Sequence, residues 1–346
     1  MDNQIFIEDL NSQDVESEAG NLDNKPEIRD FKEIIASHMG WLVSPIVKSN
    51  ELIRDSKFAL SLLESRIVNY MLVNLDYKTD EFTYLRFRTI DFCRACRFSK
   101  FNTSYLKETI HRLSAKSLQV KVQTYDKNNN LVGESYVPIK WLDDYEIDSK
   151  NGYIYLKFQD RLIPYFLNLK KNFTKFQFAF MISFTCKYSF QLYEFIRSYA
   201  FHCEKSDNGV YVLDEPVEKL KQRFCLGEKL DRFADFHRRV LIPAIKEINE
   251  YTDIVVDMNF VKYGKTVTNV LFKIHFKADN EIQKIVNEAT QKIENVMTPI
   301  VLPKERERPK EGFLPSETYN EKEEDPAVLT TVVVANGVEG QIMLDI

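Results

Sequence analysis

The 346-residue chain contains no run of about 18 apolar residues, the length that a membrane-spanning helix requires. It also lacks a basic-then-apolar start, since it opens Met1-Asp2-Asn3-Gln4 and soon turns acidic. A soluble, cytoplasmic protein is the expectation. Cysteine is scarce: five residues, an odd number spread over a long chain, fit reduced thiols better than a disulfide framework. With only 10 Gly and 11 Pro, collagen-like repeats are excluded, and 44% apolar residues with 25 Phe and 17 Tyr exclude global disorder. At roughly 100–200 residues per domain the length points to two domains plus tails.

The net charge of −5 hides an uneven distribution. Residues 1–40 sum to −7, residues 278–346 sum to −7, and residues 41–277 therefore carry +9. A basic body between two acidic tails can attract phosphates even though the whole chain is acidic. Residues 1–40 are rich in Asn, Asp, Glu and Ser and read as a disordered acidic arm. Dense apolar patterning then runs from 41 to 277 without a long Gly/Pro/Ser linker, so two domains, expected over 41–177 and 178–277, must share a short connection. An amphipathic helix is expected over 278–298, capped by Asp279 and striped by Ile282, Ile285, Val286, Ala289, Ile293 and Val296. Residues 299–346 read as a linker and tail, with an Asn336-Gly337 turn signal near the end.

One pattern occurs twice in the body. A helical segment over 101–116, with Lys107, Arg112 and Lys116 among its apolar points, runs straight into the alternating Leu118-Gln119-Val120-Lys121-Val122. A second over 232–250 places Phe233, Phe236, Val240, Ala244 and Ile248 on one stripe, then gives Ile254, Val256, Met258 and Phe260 in alternation. That strand turns at Lys262-Tyr263-Gly264-Lys265 and returns through Val270, Phe272, Ile274 and Phe276 as a hairpin. Other helices precede each basic one: 60–74 and 89–98 before the first, 189–203 and 216–224 before the second. Helix, short helix, basic helix and hairpin is the plan of a winged helix, in which the last helix enters the major groove. The fold expected is α+β: two tandem winged-helix domains with flexible acidic N- and C-terminal tails.

Other motifs carry little. Cys93-Arg94-Ala95-Cys96 has the spacing of half a zinc site without the second pair, and in a short helix both thiols share one face of the core. Gly264-Lys265-Thr266 resembles the end of a phosphate loop, but Asn259 stands where a glycine is required and the flanks are strands. Asp143, Asp144, Glu146 and Asp148 lie in one loop-like stretch, which argues for a solvated loop over a Mg²⁺ site. His38, His111, His202, His237 and His275 form no HxH pair and no HExxH, which removes nicking enzymes that need paired histidines. No catalytic constellation emerges, and no cofactor or metal is expected. The outer face of the second basic helix, with Asp235, Arg238, Arg239 and Lys246, could instead enter a major groove, while Lys262 and Lys265 suit phosphates. An ordinary solvated helix face is the alternative. Pro243 should kink that helix or start a new one.

The segments Lys48-Ser49-Asn50-Glu51-Leu52-Ile53, Ser189-Phe190-Gln191-Leu192-Tyr193-Glu194-Phe195 and Asp235-Phe236-His237-Arg238-Arg239-Val240-Leu241, running on to Lys246-Glu247-Ile248-Asn249-Glu250-Tyr251-Thr252, resemble the replication initiators of iteron-containing bacterial plasmids. The resemblance spans about residues 46–277. It implies two winged-helix domains that bind repeated origin sites in duplex DNA and promote origin opening, with no nucleotide and no enzymatic activity. It further implies monomers that initiate, dimers that repress their own gene, and host helicase and host initiator as partners. By resemblance Arg232, Arg238, Arg239 and Lys246 are the main contacts of the second domain, and Asn102, Ser104, Lys107 and Arg112 the looser ones of the first. The sequence departs from the family at Leu230, where an aromatic is expected, and at His237, where a third basic residue is expected. The ending Gln341-Ile342-Met343-Leu344-Asp345-Ile346 is similar to peptides that dock on the bacterial sliding clamp, through Gln341, Leu344 and Ile346. Two rival readings stay open: a winged-helix transcriptional repressor without initiation activity, and a nuclease using Asp143, Asp144 and a tyrosine.

Overall fold

The computed structural model describes residues 31–34, 42, 44–98, 103–127, 130–200, 204–205, 209–227 and 230–297. In chain order the first half comprises β1 (Phe31–Ile34), β2 (Pro45–Ser49), α1 (Asn50–Asp55), α2 (Leu62–Val73), β3 (Tyr84–Arg88), α3 (Thr89–Ala95), α4 (Thr103–Ala115), β4 (Ser117–Tyr125), β5 (Leu131–Lys140), β6 (Leu142–Asp148), β7 (Tyr153–Phe158), α5 (Ile163–Phe166) and β8 (Phe173–Gln177). The second half comprises α6 (Lys187–Tyr199), β9 (Glu204–Lys205), β10 (Tyr211–Pro216), α7 (Val217–Arg223), α8 (Phe233–Phe236), α9 (Ile242–Tyr251), β11 (Ile254–Tyr263), β12 (Thr266–Phe276) and α10 (Asp279–Met297).

Both halves repeat one topology. In the second, the β11–β12 hairpin follows the helix and β12 pairs antiparallel with β10, the strand that leads into the short helix α7. In the first, β7 pairs antiparallel with β3, the strand that leads into α3, and β6 continues the sheet. The matching hairpin of the first half is therefore β6–β7. The strand that directly follows α4, expected to begin the wing, instead opens an inserted hairpin in which β4 pairs along its length with β5 and is bridged at Gln119 to Lys57. The acidic cluster at 143–148 thus lies on a strand, not in the loop expected from its composition. An irregularity between Leu142 and Asp144 puts an extra residue into that strand and breaks its two-residue alternation. The arm expected over residues 1–40 contributes one short strand, β1, parallel to β3.

Local chemistry explains the helix boundaries. Ser61 and Glu64 form a reciprocal capping box at the start of α2, and the buried Glu64 also accepts from Lys116 at the end of α4, at 2.6 Å. Burial alone would raise the Glu64 carboxyl, but the hydrogen bonds from Lys116 and Ser61 hold it below the usual carboxylate range. Cys93 and Cys96 lie in the core as expected for packed thiols; burial pushes Cys93 up to about 11 and Cys96 well above its ordinary value. No cluster of metal-ligating side chains occurs among the described residues. Nor is any described helix long and apolar enough to cross a membrane.

Buried polar side chains lock the two halves together and tie α9 to α6 and the connection that precedes it. The Lys48 ammonium donates to Glu194 at 2.6 Å and to Asn69 at 3.1 Å, and both charged side chains are almost wholly buried. Glu247 on α9 accepts from the backbone N–H groups of Thr185 (2.7 Å) and Cys186 and from the hydroxyls of Thr185 and Ser189, so it caps α6 from outside. Asp253, just past α9, accepts from the Tyr193 hydroxyl and from Arg197, each at 2.9 Å. The Arg223 guanidinium, pushed down to about 10 by burial, donates to the carbonyls of Ile53 and Arg54 at the end of α1 and lies 4.0 Å from the Phe195 ring centre. The connection through Met181–Phe184 is buried, and Arg97 and Arg66 hold its carbonyls at Ile182 and Phe184. Finally α10 seats Val286, Ala289 and Ile293 in the core, against α3 and residues 178–180. The side chain of Val296, expected on the same stripe, is outside the described residues.

Removing one partner of the Lys48–Glu194 pair leaves an uncompensated buried charge. Lys48→Met or Glu194→Met alone should each cost about 3–5 kcal/mol in urea unfolding, whereas the double replacement should cost markedly less than the sum. Additive single costs would contradict the coupling.

Candidate nucleic-acid interface

The second basic helix is built from α8, a π-helical turn over His237–Leu241 and α9, and these run on without a break. Phe236, Val240, Leu241, Ala244, Ile245 and Ile248 are buried, which fixes the rotation of the helix about its axis. Pro243 does not break it. Proline has no N–H to give the carbonyl four residues back, and the preceding turn widens instead, with the Ile242 N–H donating to the His237 carbonyl five residues back. The strain expected at Pro243 is absorbed within the turn that carries Arg238 and Arg239.

The inward stripe leaves Arg238, Arg239 and Lys246 exposed, as its register predicted, and Arg232 is exposed as well. Arg238 pairs with Asp235 at 2.8 Å, but its side chain remains 68% accessible. Arg232, Arg239 and Lys246 form no ion pair among the described residues. Beside the helix stands the β11–β12 hairpin, whose tip exposes Lys262 and Lys265. Gly264, first of the two turn residues, has a φ of 59°, the left-handed backbone that mirror-image hairpin turns place there. This is a hairpin turn and not a phosphate loop. Phe233, His237 and Phe260 join hairpin to helix: Phe233 and His237 stack at 5.7 Å and 6°, and Phe260 meets both edge-on at 5.2 and 5.0 Å. The departure from a basic residue at His237 thereby gains a structural reason. Leu230, where an aromatic was expected, has a left-handed φ of 65° and packs against the core.

The first basic helix, α4, is electrostatically different. Ser104, Lys107 and Arg112 are exposed, and Asn102 is outside the described residues. Arg112 is engaged by Glu108 at 3.0 Å on its own helix. Lys107, Glu108 and His111 border an open groove of about 510 Å³ whose other wall is Asp144, Tyr145, Glu146 and Ile147 of β6. His111 Nδ1 lies 3.1 Å from the Tyr145 hydroxyl, and the Tyr84 hydroxyl donates to Asp144 at 2.9 Å. Carboxylates along this wall oppose a close approach of phosphates, a feature hidden in the sequence because the acidic run shows no strand alternation. Gln341, Leu344 and Ile346 lie outside the described residues.

A family model described as "Initiator Replication protein, WH1" matches residues 45–197, and one described as "Initiator Rep protein, WH2" matches residues 216–274, together more than half of the chain. Among curated proteins, a replication initiation protein of Escherichia coli is 24% identical over 232 residues, 66% of this chain and 69% of that protein. Among solved structures, the Pi initiator protein in complex with iteron DNA superposes with a TM-score of 0.50 at 22% identity, covering 69% of this chain and 99% of that chain. That likeness is one of fold.

The aromatic contact between helix and hairpin can be tested directly. Phe260→Ala should destabilise the protein by about 1–2 kcal/mol, less than a fully buried Phe because Phe260 is half-buried. Hydrogen exchange should accelerate in β11 and β12 while α6 stays protected; uniform acceleration would mean that the cluster is not local.

Proposed function

The chain belongs to the initiator replication protein family of paired winged-helix domains, and on that premise we propose that it is a plasmid replication initiator that binds repeated origin sites, iterons, in duplex DNA and promotes origin opening. The observation that carries this reading is the second helix–hairpin unit. One face of its helix is sealed in the core, and the opposite face and the hairpin tip offer Arg232, Arg238, Arg239, Lys246, Lys262 and Lys265. An Arg fork matches the two acceptors of guanine in the major groove, a contact worth about 1–3 kcal/mol of base discrimination. Lysines at the tip suit phosphates, which fix position and register without reading sequence. The Pi initiator is described in complex with iteron DNA, which supports the same class of ligand.

In this reading two covalently joined domains read grooves one helical turn apart, about 10–10.5 bp, so one chain covers roughly 20 bp. The body over residues 41–277 carries +9, and binding should weaken steeply with salt. Energy for opening comes from the contacts made along an array of sites, which can bend or strain an adjacent easily melted segment. The protein is not an enzyme in this account and needs no cofactor. Dimers that repress the chain's own gene, monomers that initiate, and host helicase, host initiator and sliding clamp as partners complete the proposal, with Gln341, Leu344 and Ile346 as the clamp contacts.

The carboxylate wall beside α4 favours a second reading. If α4 does not enter DNA, specificity rests on one domain, and a dimeric transcriptional repressor becomes the simpler description. Selection of bound fragments from random duplex DNA at near-physiological salt separates the two. An initiator should enrich one long non-palindromic site and a repressor a palindrome alone. Arg238→Ala/Arg239→Ala should weaken binding to the selected site by about tenfold or more and relax its sequence preference, whereas Lys265→Ala should weaken all sequences alike and lower the salt slope by about one. No enrichment by the wild type would reject both readings. Asp144→Asn/Glu146→Gln should tighten binding to the long site if Lys107 and Arg112 touch it, and leave affinity unchanged if they do not.

A further inference from the structure

Tyr263 is the most solvent-exposed large hydrophobic side chain among the described residues, at 85%. It is the last residue of β11 and pairs across the strand with Thr266, and its side chain forms no ring contact or hydrogen bond among the described residues. A tyrosine held out in water at a hairpin tip contributes nothing to the core, and its placement is well controlled. Gly264 supplies the tight turn beside it. One pair below, the register shifts from Val261↔Asn269 to Lys262↔Val267, leaving Thr268 unopposed. Such a bulge increases the local twist and re-aims the side chains of the tip. Three residues further down, Phe260 is clasped by Phe233 and His237, so the tip lies about 10 Å beyond a fixed point on the reading helix. A helix seated in a major groove about 12 Å wide leaves the neighbouring phosphates and minor groove within reach of such a tip.

We propose that Tyr263 is a nucleobase-stacking residue that enters the minor groove beside the major-groove site, with Lys262 and Lys265 on the flanking phosphates. The proposal rests on the functional reading above and adds to it a contact that carries no charge. Charge complementarity selects this occupant: the aromatic is flanked within two residues by exposed lysines on both sides and by no carboxylate from 261 to 268. Every base offers a π-face, so stacking tolerates sequence. It favours steps that unstack easily, such as TA or CA, and an aromatic pressed into such a step loosens the duplex locally.

The test uses the full-length chain and a duplex fragment selected by the wild type, with affinity measured at several salt concentrations. Tyr263→Ala should lose about tenfold in affinity with the salt slope unchanged. Tyr263→Phe should retain affinity, and Lys262→Ala should lower the slope by about 0.9. For Tyr263→Trp, indole emission should change on DNA addition beyond the change shown by the wild type with its two tryptophans. The inference is overturned if Tyr263→Ala binds within twofold of the wild type, if its loss comes with a reduced slope, or if it weakens self-association in sedimentation while DNA affinity is intact. A wild type that binds no duplex overturns the functional reading as well, an outcome distinct from one in which wild type and variant bind equally.

Discussion

The structure depends on Glu247. This carboxylate sits on the helix proposed to read DNA, yet its oxygens face away from solvent and accept hydrogen bonds from Thr185, Cys186 and Ser189 at the start of α6. A helix start presents unpaired N–H groups and partial positive charge, and a carboxylate brought to it from another element answers both at once. Glu247 therefore ties the reading helix to the segment that joins the two halves. Lys48, Glu194, Arg223 and Asp253 extend the same logic from β2 through α6 to the end of α9. Each is buried or nearly so and each is paired, because a buried charge without a partner costs several kcal/mol.

This network clarifies which parts of the sequence were informative. The three segments that carry the family resemblance touch one another: Lys48 of the first meets Glu194 of the second, and Glu247 of the third meets Ser189 of the second. Much of what made them recognisable is thus polar packing around α6, while Arg238 and Arg239 stand outside it. The reading helices, the hairpin over 254–276 and α10 were legible because their apolar periods run unbroken. The β6–β7 hairpin was not. A run of acids broken by one extra residue has no visible alternation, although Tyr145 and Ile147 pack against the core. The insertion of β4–β5 between helix and sheet was equally hidden, since a strand that follows a helix does not announce its partner.

Duplication of topology has not produced duplicate surfaces. The second basic helix has a mostly uncompensated basic face and an aromatic brace to its hairpin, whereas the first has its arginine engaged and an acidic strand alongside. The difference arises from what each hairpin presents beside the helix: Lys262 and Lys265 in the second domain, Asp144 and Glu146 in the first. Sequence reasoning counted charges along each helix and could not see this, because the neighbours are supplied by strands remote in sequence. Legibility of the site therefore ended where its electrostatics became tertiary.

The widened turn at His237–Leu241 has a consequence for how such a surface can change over time. A regular helix advances about 100° per residue, so one residue more or less before Pro243 would swing Arg238 and Arg239 by that angle relative to Lys246 and the buried stripe. An exchange of side chains at unchanged length leaves that angle as it is. The widened turn acts as a registration pin that sets the angle between the exposed arginines and the buried stripe.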